Sequence, residues 1–181
     1  MPPTDLSRPS RHSIRLQDYD YSQPGAYFVT LVTYQREHLF GEIVDGEMRP
    51  NDAGKILWEV WQSLPGRYPD ISLDEAVVMP NHFHGIIIVG AIHELPLRDE
   101  LPQQDKEASR LARRRMTIPL VMGYLKMNSA KRINILLNRS SIPVWHRNYY
   151  EHIVRNDRAY QAIRYYIQAN PANWDNDKEN S

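Results

Sequence analysis

Two short pieces of this 181-residue chain carry groups that can do chemistry together: His82 and His84 within HFH, and Tyr166 with Asn170 within YIQANP. HFHGIIIVG reads as a strand, and strand side chains alternate between faces, so both imidazoles project from one face and Phe83 from the other. Imidazoles two residues apart on one strand can grip a single metal ion. Tyr166 and Asn170 stand at positions i and i+4 of a predicted helix, which makes them neighbours on its surface. Tyrosine, with an ordinary pKa of about 10, is a poor nucleophile at neutral pH and needs electrophilic help to attack a phosphate. A divalent ion between His82, His84 and Asn170 would give that help by polarising the phosphate and neutralising developing charge.

Each half taken alone also fits a purely structural role. A strand can bury one histidine and expose another for packing, and a tyrosine beside an apolar stripe commonly buries its ring and wets its hydroxyl. Other chemistries fail on residue type. A cupin wants a glutamate soon after the second histidine, and Gly85 to Gly90 supply none; a two-histidine phosphoesterase wants a second His-x-Thr/Ser copy, which is absent. The chain has no cysteine, which excludes disulfides, thiolate metal sites and cysteine nucleophiles. Tyr149 and Tyr150, in the run RNYYEH, stay open as rival nucleophiles or as platforms on which a base could stack.

The elements that must position these groups follow from pattern. AYFVTLVTY, after the turn signal QPG, predicts a central strand, and Asp45-Gly46 predicts a small hairpin. Asn51 caps a helix with Ile56, Leu57, Val60, Trp61 and Leu64 at helical spacing, ended by Pro65-Gly66. ISLDEAVVMP and HFHGIIIVG read as adjacent inner strands. Thr117 and Pro119 open a basic amphipathic helix with Val121, Met122, Leu125, Ile133 and Leu136 on its apolar side. Asn156 caps the last helix, where Tyr160, Ile163 and Ile167 share a face until Pro171. These elements make one α+β domain over residues 24–175, helices packed on a largely antiparallel sheet. Around it lie an Arg-, Ser- and Pro-rich arm over 1–23, a polar inserted loop over 91–109, and a polar tail over 176–181 expected to fray.

Charge is balanced overall, 22 basic against 22 acidic residues, but not locally. From Ala108 to Arg147 the chain carries Arg113, Arg114, Arg115, Lys126, Lys131 and Arg132 among its cations and no acid, a candidate phosphate-binding surface or else a solvated helix face. Arg8, Arg11 and Arg15 of the arm could also touch nucleic acid. The N-terminus lacks an apolar signal region, and no stretch approaches the roughly 18 apolar residues of a membrane span, so a soluble cytoplasmic protein is expected.

SIRLQDYDYSQPGAYFVTLVT, LFGEIVDGEMRPNDAG, VVMPNHFHGIIIV, IPLVMGYLKMNSAKRIN, WHRNYYEHIVRND and YIQANP together resemble the REP-associated tyrosine transposases, the single-tyrosine branch of the HUH endonucleases. The likeness runs from about Ser13 to Trp174, and MPNHFH followed by YIxxNP is more specific than either part. The resemblance implies a ferredoxin-like βαββαβ core, with His82 and His84 as metal ligands, Tyr166 as the catalytic tyrosine, and Asn170 where relatives place a third ligand, often Gln. It implies Mg²⁺ or Mn²⁺ as cofactor. It further implies cleavage and rejoining of single-stranded DNA at hairpin-forming palindromes through a covalent 5′-phosphotyrosine, with no nucleotide cofactor, by a monomer or a homodimer. The alternative is a non-catalytic hairpin-binding module or repressor of the same fold. The polar insert around Leu101 to Lys106 and the neutral net charge depart from the family pattern without touching a motif residue.

Overall fold

The β-branched and aromatic run after Pro24 forms β1 (Gly25–Val32), an eight-residue strand buried along nearly all its length. A hairpin follows, β2 (Gly41–Val44) and β3 (Glu47–Pro50), a separate two-stranded sheet. Its turn places Asp45 at φ 54° and Gly46 at φ 76°, both left-handed, as a two-residue hairpin turn requires. Helix α1 (Asp52–Gln62) begins where the Asn51 side chain accepts from the Gly54 N–H, 3.1 Å away. The computed structural model describes residues 24–90, 117–140 and 142–180.

Strands β4 (Ile71–Val78) and β5 (His82–Val89) come next, then α3 (Thr117–Leu136), β6 (Tyr150–Val154) and α4 (Asp157–Ala169). The main sheet runs β4-β5-β1-β6 and every neighbouring pair is antiparallel. With α1 and α3 as the crossovers, this is the β-α-β-β-α-β order of ferredoxin-like domains. The fold class expected from the pattern, α+β with helices packed on an antiparallel sheet, is therefore the one observed.

Alternation along β1 sorts the core into two layers. Tyr27, Val29 and Leu31 face Leu57 and Trp61 of α1 and Met122 and Leu125 of α3, while Ala26 and Phe28 face the other way, toward Ile86, Val154 and Ile167 of α4. The same alternation holds on β5. Phe83 packs 4.8 Å, centroid to centroid, from Trp61 on the α1 and α3 side, which leaves His82 and His84 on the α4 side. Gly85 fits this packing, because a Cβ there would lie 2.7 Å from the Trp61 ring.

Several details depart from expectation. Pro65 does not end the helical path: it sits in the first turn of a further short helix, α2 (Leu64–Arg67), where its missing N–H is not needed. β4 is an edge strand rather than an inner one, and a bulge interrupts its pairing between Leu73 and Ala76. Leu136, assigned to the apolar side of α3, is 45% exposed. The polar tail is not frayed: Pro171–Asn176 and Lys178–Asn180 form 3-10 turns. The arm with Arg8, Arg11 and Arg15, the insert, and Arg113, Arg114 and Arg115 lie outside the described residues.

Candidate active site

The imidazole faces of β5 and the last turns of α4 meet on one side of the sheet. His82 and His84 are buried, with rings 4.6 Å apart. Each is steered through its outer nitrogen. Asn81 donates from Nδ2 to the Glu179 carbonyl (2.7 Å), which turns its Oδ1 toward His82 Nδ1 at 2.9 Å. An amide oxygen only accepts, so His82 carries its proton on Nδ1 and presents a lone pair on Nε2. The Thr30 hydroxyl lies 2.8 Å from His84 Nδ1 and can accept in the same way. Thr30 is the cross-strand partner of His84 in the β1–β5 register, so sheet pairing itself supplies this contact.

Helix α4 is aimed at its N-terminus by Asn156, whose side chain accepts from the Ala159 N–H at 2.9 Å. Along its length, Arg164 reaches Asp74 (3.3 Å) and Glu75 (2.9 Å) at the β4 bulge, Gln168 donates to Glu75 (2.8 Å), and Tyr160 donates to Asp74. Burial and the Asp74 carboxylate push the Tyr160 phenol up to about 12. The bulge thus presents two carboxylates to one face of the helix, from Tyr160 to Gln168, and the last turns of α4 deliver Tyr166 and Asn170 to the histidines.

The Tyr166 hydroxyl stands 3.3 Å from His84 Nε2, and Asn170 Oδ1 stands 3.3 Å from His82 Nε2. The structure therefore brings together all four residues that the sequence singled out for chemistry. Tyr150, one of the rivals, lies on the same face but packs edge-on to Phe28, and Tyr149 packs against the core of the opposite layer.

The cations proposed for DNA contact are placed differently. Helix α3 belongs to the layer across the sheet from the histidines. There Lys126 donates to the carbonyls of His146 (2.9 Å) and Arg147 (2.8 Å), and burial holds its ammonium below the usual lysine range. Arg132 pairs with Glu59, and Lys131 is exposed. The structure does not bring these three to the histidines.

The residue that the sequence reading missed is Asp177. Its carboxylate lies 3.9 Å from His82 Nε2 and accepts from Asn170 Nδ2 at 2.7 Å, which orients the Asn170 oxygen toward the histidine. Ligand atoms of His82, His84 and Asp177 all lie within 4.8 Å of one another. Arg36 secures the segment by pairing with Glu179 at 2.8 Å, and Trp174 packs between His38 and His82, with centroids at 5.5 and 5.9 Å. The sequence held one signal for this docking, the lone Trp174 in an otherwise polar tail.

Lone pairs from two imidazoles, an amide oxygen and a carboxylate thus converge in a buried space. That donor set fits a divalent cation, with the oxygens suiting Mg²⁺ or Mn²⁺ and the imidazoles suiting transition metals. Electrostatics agree with neutral ligands. Burial holds His84 well below 6.5, helped by neighbouring His82, and burial also lowers His82 against the opposing pull of Asp177. Burial, then the Asp177 charge, pushes the Tyr166 phenol up, while nearby Asn170 acts the other way.

A mixed α+β domain with a two-histidine, tyrosine-bearing pocket is what the fold and site define. At 37% identity over 170 residues, 93% of this chain and 92% of the other, the chain belongs to the same family as an uncharacterized protein of Haemophilus influenzae. No protein-family model matches the chain. Among solved structures, the fold is shared with a REP-associated tyrosine transposase bound to a REP hairpin, at TM-score 0.55 and 18% identity over 90% of this chain and 74% of that one. A proposed transposase of Deinococcus radiodurans gives TM-score 0.46 and 16% identity over 85% of this chain and 96% of that one, too distant to weigh. Among the described residues no helix is long and apolar enough to cross a membrane.

Proposed function

We propose that this chain is a metal-dependent endonuclease and strand transferase for single-stranded DNA at hairpin-forming repeats, with Tyr166 as its nucleophile. The observation that carries the reading is the Tyr166 hydroxyl 3.3 Å from His84 Nε2, in a cluster completed by His82, Asn170 and Asp177. His82, His84, Asn170 and Asp177 would hold Mg²⁺ or Mn²⁺, which when bound would polarise the scissile phosphate and relieve its developing charge.

The chain's own residues do the rest. Tyr166 is 44% exposed, so a strand can approach it, while His82, His84 and Asn170 are buried. Its oxygen forms a bond to phosphorus as the bond from phosphorus to the 3′ oxygen breaks. The phenol gives up its proton and the departing oxygen gains one, leaving a 5′-phosphotyrosine and a free 3′-hydroxyl. Asn170, one helical turn from Tyr166, favours the phenolate, and Asp177 holds Asn170 in turn. The ester keeps the energy of the phosphodiester, so rejoining needs no nucleotide cofactor. One chain supplies every named group, which supports a site complete within one protomer.

DNA hairpins as partner rest on the shared fold, since the transposase of that fold was bound to one. Incubation with Mn²⁺ and a hairpin flanked by single strands is expected to give a protein–DNA species stable in denaturant. Tyr166→Phe should remove it and a chelator should prevent it. Hairpin binding that ignores chelator, with no covalent species, would instead identify a non-catalytic binding module.

A further inference from the structure

The face that carries the histidines is not fully covered by α4. That helix lies toward β4, where Arg164, Gln168 and Tyr160 make their contacts, and its last turns carry Tyr166. The opposite edge of the sheet is β6, and on its open part stands Tyr150, 46% exposed. Register fixes where this is. Thr30 pairs with His84 on one side and with Tyr150 on the other, so His84, Thr30 and Tyr150 form one cross-strand row. Two strand spacings separate the ends of that row, roughly 10 Å.

Phe28, one step along β1 on the same face, joins the groups. Its ring stacks on His84 at 5.3 Å and meets Tyr166 edge-on at 6.2 Å and Tyr150 edge-on at 6.3 Å. Tyr150 and Tyr166 therefore flank the same buried ring. A T-shaped contact to a buried Phe holds the Tyr150 ring in place, and with Tyr150 46% exposed it covers at most one of the ring's two faces. His152, the cross-strand partner of Phe28, is exposed beside it on β6.

We propose that Tyr150 is a stacking shelf for a nucleobase of the single strand that flanks the scissile phosphate. The inference rests on the nuclease reading, which puts a phosphate at Tyr166. Tyr166 lies beside the His84 end of this row, so a base on Tyr150 and a phosphate at Tyr166 can belong to nearby positions of one strand. Stacking on an exposed phenol accepts any base, so the shelf would position the strand, with little sequence preference of its own. It is a substrate-positioning role, distinct from the nucleophile.

The test uses hairpin oligonucleotides with 5′ and 3′ single-stranded flanks, each carrying one 2-aminopurine at a successive flank position. They are titrated in Mn²⁺ with full-length Tyr166→Phe protein, so that no strand is consumed. At one flank position binding should quench the fluorescence severalfold. Adding Tyr150→Phe should preserve the quench, and adding Tyr150→Leu should abolish it and weaken binding about tenfold. An abasic nucleotide at that position should cost the Tyr150-intact protein a similar factor, a comparison independent of how the variant folds. Equal quenching with Leu and Phe at position 150, or no quenched position in either flank, overturns the shelf. Covalent-adduct assays on the unsubstituted protein separate the two ideas. No adduct with a Tyr150-dependent quench removes the nuclease reading alone, and an adduct without that quench removes the shelf alone.

Discussion

The two halves of the site are held by different physics. His82 and His84 ride on β5, hydrogen-bonded on both sides by β4 and β1 and backed by Trp61 and Phe83, so their positions follow from sheet pairing and apolar packing. Tyr166, Asn170 and Asp177 ride on α4 and the turns after it. Polar contacts hold those elements: the Asn156 cap, the Arg164 bridge to Asp74 and Glu75, and the Arg36 pair with Glu179. Only Ile167 of α4 is fully buried against the sheet, whereas α1 buries Leu57, Val60 and Trp61. The strand half is a fixed seat; the helix and tail half is an arrangement of charges and caps that closes on it.

The largest expected effect falls on the strand half. Trp61→Ala removes the ring that Phe83 packs on, and should cost about 3–5 kcal/mol of unfolding free energy in urea titrations. A loss below 1 kcal/mol would mean that the seat is not built on that packing.

Acid should loosen the same half next. Both histidines have folded-state values below 6.5, so below that pH the unfolded chain binds more protons than the folded one. Stability is then held above pH 6.5 and falls as pH drops toward the folded values, by about 1.4 kcal/mol per pH unit for each histidine. Urea midpoints between pH 7.5 and 5.5 read this directly, and a flat profile would contradict the buried neutral pair. Saturating Mn²⁺ should oppose the loss, because coordination also favours neutral imidazole.

The tail can be probed without unfolding anything. Asp177→Asn keeps the shape but removes the charge near His82, and should weaken Mn²⁺ binding by at least the roughly tenfold typical of losing a metal site's supporting group. Unchanged affinity in calorimetry would reduce Asp177 to a clamp on Asn170. The smallest effect belongs to the helix start, where Asn156→Ala should cost about 1 kcal/mol by thermal unfolding. A larger loss there would show the helix half to be less separable than its contacts suggest.

Legibility in the sequence divides along the same line. Strand alternation alone put His82 and His84 on one face, and the i, i+4 spacing alone put Tyr166 beside Asn170, because both rules act within a few residues. The edge position of β4 was not legible, since strand order depends on partners far along the chain. Nor was β6, where YEHIV mixes charge and apolar residues and gains its place only by pairing with β1. Asp177 was hidden for the same reason: its segment has no period, and contacts with Arg36 and Asn81, roughly a hundred residues or more away in sequence, dock it. The basic residues of α3 are the reverse case. Their clustering was visible, but Lys126 and Arg132 are engaged by the chain's own carbonyls and carboxylate.

The central claim is that Tyr166 becomes bonded to DNA, and peptide mapping tests it most directly. After reaction with a hairpin-flanked single strand in Mn²⁺, trypsin and nuclease digestion should leave a nucleotide remnant on the peptide that starts at Tyr165 and ends at Lys178, with fragmentation assigning it to Tyr166. A remnant on the peptide from Asn148 to Arg155, which holds Tyr149 and Tyr150, would contradict the account.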